Sequence, residues 1–264
     1  MRELLAEIYR RNRLLAIVGW FHLGLLVVAL ALACLDSRSI LGINPWIKPM
    51  KFMASITIFV WTMAWLLAYL PGPRRAIRTI SMGVALAMLV EIACITLQSA
   101  RGTTSHFNGT SALNGAIFGI MGMMIILNSL LVAWAAVLFF TQEVNLDPVY
   151  LGGIHLGLLV FLAGSAQGGV MVYRNAHTVG ALDGGPGLPI TNWSTEAGDL
   201  RIAHMLGLHA LQILPLAGYV LSRQPNARPL RQRLGQLAIF ASIYIAVMVG
   251  LLVQATNGQP LIRM

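Results

Sequence analysis

Apolar residues in this chain gather into seven runs, each long enough to cross a hydrocarbon core of about 30 Å as a helix. They lie at approximately 14–35, 49–70, 79–99, 113–140, 149–172, 200–221 and 235–255. Ahead of the first, residues 1–13 (M-R-E-L-L-A-E-I-Y-R-R-N-R) read as a short amphipathic, basic segment lying at the cytoplasmic surface. Two connections are long, 100–112 and 173–199, and the second is rich in glycine and proline, as a lid or plug would be. A cleaved leader fits less well. The first run is too long for an h-region and carries His22, and Ala31 stands where a lipobox wants leucine. The pattern predicts an all-α, polytopic integral membrane protein: one transmembrane domain over 1–264 with seven transmembrane helices.

Composition agrees. Of 264 residues 57% are hydrophobic and 10% charged, against about 25% charged in a soluble domain. A net charge of +9 would suggest nucleic acid in a soluble protein. Here the arginines sit at the ends of apolar runs and no zinc-finger or RNA-binding motif accompanies them, so the expected partner is the lipid bilayer and not nucleic acid. Arg2, Arg10, Arg11 and Arg13, then Arg74, Arg75 and Arg78, then Arg223, Arg228, Arg231 and Arg233 all fall on one side if the N-terminus is cytoplasmic. The orientation read from them is N-in, C-out. Lysine occurs only at Lys48 and Lys51, and alanine, leucine and glycine abound, a composition of bacterial character that points to the inner membrane. Cys34 and Cys94 make no disulfide framework and no CxxC pair.

The runs also suggest an internal repeat. G-W-F-H-L-G-L-L-V around His22 resembles G-G-I-H-L-G-L-L-V around His155, and the third and seventh runs end at Gln98 and Gln254 in similar contexts. Helices one to three then correspond to helices five to seven, as a parallel repeat about an axis along the membrane normal, with the fourth as connector.

Polar groups at membrane depth are costly unless they face a partner, a cofactor or water, which makes them the candidates for chemistry. The stretch Asp199 to Pro215 carries Asp199, Arg201, His204, His209 and Gln212 at the start of a span. At 100° per residue His204 shares a face with Arg201, and His209 with Met205 and Gln212, so the two imidazoles serve different neighbours. Pro215 removes a backbone hydrogen bond below them. His22 and His155 sit at similar depth, and Gly19, Gly24, Gly153 and Gly157 would leave room beside them for a bulky group. Two such imidazoles suit axial ligation of haem b, with His209 as a further ligand; the structural alternative is that each bonds a neighbouring carbonyl. At the outer end, Lys48, Lys51, Arg101, Arg201, His106 and His204 would make a basic pocket for haem propionates or another anion. Glu91 is the only carboxylate inside an apolar run, a candidate proton carrier, general acid/base, or counter-ion to Arg101 or Arg201.

The segment A-L-N-G-A-I-F-G-I-M-G from Ala112 resembles the nucleophile helix of rhomboid intramembrane proteases, and I-A-H-M-L-G around His204 resembles their histidine helix. Asn114 stands at the nucleophile position and the first-loop signatures are missing, so no catalytic role is carried over. Gly115 and Gly119 read instead as a helix-packing face. A retinal protein is excluded, since the seventh run has no lysine.

Three functions follow. The first is a membrane redox protein binding haem b through His22, His155 and His209, with Lys48, Lys51 and Arg201 on the propionates and Glu91 coupling protons to a quinone. The second is a proton-coupled transporter or channel, with an outward cavity and a relay of Glu91 and a histidine. The third is an intramembrane enzyme on an anionic, lipid-like substrate. Glu91, Arg101 and His106 would be its catalytic residues, and a transition metal would sit at His106, His204 and Glu91 or among His22, His155, His204 and His209. Each is compatible with an oligomer.

Overall fold

The computed structural model describes residues 2–72, 74–223 and 228–263. An amphipathic helix α1 (Arg2–Arg11) precedes seven helices long and apolar enough to cross a membrane. These are α2 (Arg13–Leu35), α3 (Ile47–Leu67), α4 (Arg74–Ala100), α5 (Ala112–Thr141), α6 (Pro148–Arg174), α7 (Leu200–Ser222) and α8 (Leu230–Thr256). The all-α, multi-pass membrane architecture expected from hydropathy is therefore present. The helices α4 and α8 begin about a turn earlier than their apolar runs, because arginine-rich turns are good helix yet invisible to hydropathy. The chain gathers into two compact units, Met1–Ala135 and Ala136–Met264.

In the first unit, Asn12 breaks the helix and restarts it. Its side chain accepts from the Leu15 N–H (3.2 Å) as the α2 N-cap and donates to Ser81 Oγ on α4 (2.7 Å). Arg11 lies over the Trp65 ring, 3.9 Å from its centroid, and donates to the Trp65 carbonyl, which pins α1 to α3. The pair α2–α3 is close because Gly19 yields its side-chain space to the Trp61 indole, which donates to the Ala16 carbonyl. Thr57 Oγ1 bonds the carbonyls of Met53 and Gly19. On α4 the residues Ile80, Val84, Ala87, Met88, Ile92 and Ile95 are buried, and Leu131 of α5 fills the gap left by Gly83.

In the second unit α6 and α7 touch backbone to backbone. A Cβ on Gly153 would come within 2.6 Å of the Leu214 carbonyl oxygen, and one on Gly164 within 2.7 Å of Gly207 Cα. Gly157 faces Pro215, and Gly218 faces Val149 and Gly153. Such contact needs glycine on both sides and gains dispersion energy where hydrocarbon offers no hydrophobic drive. Tyr244 of α8 donates to the Leu206 carbonyl (2.6 Å), and Arg233 pairs with Asp147 (3.1 Å).

The long loop 173–199 is folded and not merely a linker. Two-residue strands β1 (Thr178–Val179) and β2 (Gly198–Asp199) pair antiparallel. Asp183 accepts from the His177 and Thr178 N–H groups. Asp199 caps α7, accepts from Ser194 N–H, and holds the Arg201 guanidinium through two bonds (2.9 and 2.6 Å). Arg201 also donates to the Asn192 carbonyl.

The glycine contact sets a stability prediction. In detergent, Gly164→Ala should destabilise the protein by about 1–3 kcal/mol, since overpacking forces backbone to move. Gly24→Ala, where nothing lies within 4 Å of the added carbon, should be neutral; equal thermal unfolding of the two would refute the argument. Asp199 gives a pH prediction. Burial alone would push its carboxyl up, but the Arg201 bonds dominate and hold it below the usual carboxylate range. A depressed native pKa stabilises above the unfolded value and is lost as pH falls through the folded one. Thermal scans on acidification should show this loss in the native protein, and Asp199→Asn should already be destabilised at neutral pH and lack that component.

Candidate functional site

The start of α3, the C-terminal turns of α4, the start of α5 and the loop between α4 and α5 bring Glu91, His106 and Lys48 together. Lys48 comes from the first turn of α3, a turn that accepts Pro49 because its N–H would be unbonded there anyway. The start of α3 is fixed by Asp36, which accepts from Trp46 Nε1 (2.9 Å) and pairs with Arg38 (2.7 Å). The Arg38 bonds hold the Asp36 carboxyl well below its usual range, so this anchor stays ionised near neutrality.

His106 is placed by a loop built from its own polar side chains. Asn108, 2% exposed, donates to Thr103 Oγ1 (2.9 Å) and the Thr104 carbonyl (2.8 Å), and accepts from Thr110. Phe107 has φ +53°, a left-handed conformation that a bulky residue adopts only when its surroundings impose it. Here its ring packs edge-on against Phe118 at 5.5 Å. Beneath the loop, Asn114 Oδ1 accepts from Gln98 Nε2 (3.1 Å) and Arg101 Nη1 (2.9 Å), while its Nδ2 donates to Thr110 Oγ1 (2.8 Å).

The geometry at the imidazole defines a direction. Lys48 Nζ lies 3.1 Å from His106 Nδ1, and Ser105 Oγ 3.0 Å from the same atom. A lysine ammonium can only donate, so Nδ1 accepts and the neutral ring carries its proton on Nε2. That atom faces Glu91 Oε1 at 4.0 Å. Glu91 is 2% exposed, and its Oε2 is buried with no hydrogen-bond partner among the described residues. Phe52, Phe107 and Phe118 surround the imidazole, with ring centroids 5.6 to 6.1 Å away. The arrangement can receive a proton at a part-exposed imidazole and pass it to a carboxyl inside the membrane span.

The other expected groups are placed differently. Arg101 serves Gln98 and Asn114, and Arg201 serves Asp199, so neither is the counter-ion of Glu91. Lys51, three residues on from Lys48, is half-buried. His22 is fully buried with Nδ1 on its own Val18 carbonyl (2.7 Å), and the Met88 backbone approaches the ring. The His155 Nε2 bonds the Phe139 carbonyl (2.9 Å) with its ring stacked on Phe140 at 4.1 Å. His204 bonds the Gly164 carbonyl (2.8 Å), and His209 bonds Gln212 on its own helix (3.2 Å). The room foreseen for haem beside Gly19, Gly153 and Gly157 is filled by Trp61 and by α7, so these residues do not form the cradle that ligation would use. Among the described residues no three His, Cys, Asp or Glu side chains gather as a metal site, the trio of His106, His204 and Glu91 included. Gly115 and Gly119 face open space instead of a packing partner.

From the sequence, Gln98 and Asn114 receive no part in a site, and Ser105 and the three phenylalanines are not singled out. The density of Ser, Thr, Asn and Gln from 98 to 114 was the available signal, since such side chains next to a membrane span must bond one another. Asn114→Ala should therefore cost about 1–3 kcal/mol by orphaning Gln98 and Arg101. Faster amide exchange across 101–111 would accompany it; unchanged exchange would show that the network does not hold the loop.

No family model matches the chain, and neither a curated protein nor a solved structure does, so its activity is to be argued from this arrangement of residues.

Proposed function

We propose that this chain is a proton-coupled transporter or channel of a bacterial inner membrane, oriented N-in, C-out, in which Glu91 and His106 form the relay. The observation that carries the reading is a transmembrane carboxylate, 2% exposed, with one oxygen unpartnered and the other 4.0 Å from an imidazole N–H that a lysine orients. A structural ion pair would be closed by hydrogen bonds on both oxygens. This one is open by about 1 Å, a distance that a small ring rotation spans. Protonation of Nδ1 by Lys48 or from the exterior makes the ring an imidazolium; closing the gap then lets Nε2–H pass its proton to Glu91, and a flip of the neutral ring left behind restores the starting tautomer.

A parallel repeat of helices one to three and five to seven suits a transporter, and the two compact units carry those two sets of spans. The redox reading, with haem b and a quinone partner, has less support, because three of the four glycines are filled and no three candidate ligands gather among the described residues, although His22 Nε2 is buried and unpartnered.

The test is proton flux into liposomes loaded with a pH-sensitive dye and driven by a potassium diffusion potential, alone and with mixtures of amino acids, organic anions or sugars outside. The reconstituted protein should acidify the lumen faster than empty liposomes. Glu91→Gln should return the rate to background, His106→Asn should slow it at least tenfold, and His155→Asn should leave it within about twofold, since only the first two lie on the proposed path. Flux unaffected by Glu91→Gln would end this reading, and a Soret band in the purified protein would restore the haem one.

A further inference from the structure

A second site lies in the first unit at the end that holds the N-terminus, and it is independent of Glu91. A cleft of ≈ 590 Å³ opens between the α1–α2 junction and the first turns of α4. Arg74 and Arg78 line it one turn apart on the same helix face, with Arg11 on the opposite wall. Arg11 is engaged by Glu7 (2.8 Å) and the Trp65 ring. Arg74 and Arg78 make no hydrogen bond or ion pair with any described residue. Two like charges spaced one turn apart repel, and cations in a helix's first turn oppose its dipole, and no described residue offsets this pair by a hydrogen bond or ion pair. The floor is polar, where Asn12 and Ser81 are joined at 2.7 Å. The walls are Leu14, Ile77 and Met82, and Leu14 (40% exposed) and Met82 (52%) continue onto the exposed apolar surface of the helices.

We propose that this cleft binds the phosphate of an anionic phospholipid. Two guanidinium forks offer the planar, paired donors that phosphate oxygens accept, and the apolar walls lead away from them as an acyl chain would run. A free anion would use the arginines and leave the walls bare; a zwitterionic lipid would use the walls and bring its own cation toward the arginines. The combination selects a lipid with net negative charge.

Delipidated protein in neutral detergent, titrated with phosphatidylglycerol or phosphatidylcholine and read by native mass spectrometry, tests this. Phosphatidylglycerol should bind at least tenfold more tightly than phosphatidylcholine. Arg78→Gln should weaken it about fivefold, the worth of one basic residue at a lipid headgroup. Arg75→Gln removes the same charge from the same turn outside the cleft and should change affinity less than twofold. Leu14→Trp, which fills the cleft without altering charge, should also weaken binding and covers the case that an arginine variant does not express. Equal loss in Arg75→Gln and Arg78→Gln, equal binding of the two lipids, or full displacement by inorganic phosphate would each overturn the proposal.

Discussion

Hydrocarbon offers no partner for a hydrogen bond, and this constraint orders most of what the chain does with its polar residues. His22, His155 and His204 each spend a ring nitrogen on a backbone carbonyl, and His209 spends one on Gln212. Thr57, Ser81 and Tyr244 likewise turn to carbonyls. The bonds of His155, His204 and Tyr244 join neighbouring helices, while those of His22, Ser81 and His209 stay within their own helix. The proposed relay rests on Glu91, a buried carboxylate whose Oε2 has no partner among the described residues; His22 Nε2 is likewise unpartnered.

The two units meet the constraint by different means. In Ala136–Met264, glycines let α6 and α7 approach until backbone meets backbone, and the loop 173–199 is secured by Asp183 and Asp199. In Met1–Ala135, large side chains such as Trp61 and Leu131 fill the spaces that glycines leave, and the loop 101–111 is stiffened by Asn108 and Asn114. Stiffness there has a functional sense. The proposed relay, working by one small rotation of His106, would need neighbours that do not move with it.

The aromatic surround of His106 adds to this. Phe52, Phe107 and Phe118 come from three separate elements, and the strained backbone at Phe107 is the cost of bringing one of them in. Their ring centroids lie 5.6 to 6.1 Å from that of the imidazole, while Lys48 and Ser105 meet it at Nδ1.

Sequence alone determined the class, the number of spans and nearly all helix limits, because hydropathy over about 20 residues is a one-dimensional property of the chain. Glu91 was legible as well, since an ionisable group in an apolar run stands out wherever it lies, and His106 as a histidine in a polar loop beside that run. Which of the candidate groups meet was decided only in three dimensions. Gly19 and Gly157 look alike as vacant room, yet Trp61 and Pro215 occupy it, and Gly115 and Gly119 look like a packing face yet meet nothing. Lys48, Glu91 and His106 come from separate elements, so their meeting depends on how α3, α4 and the 101–111 loop pack. Spacing along a helix reports which residues share a face; it carries no information about what that face will meet.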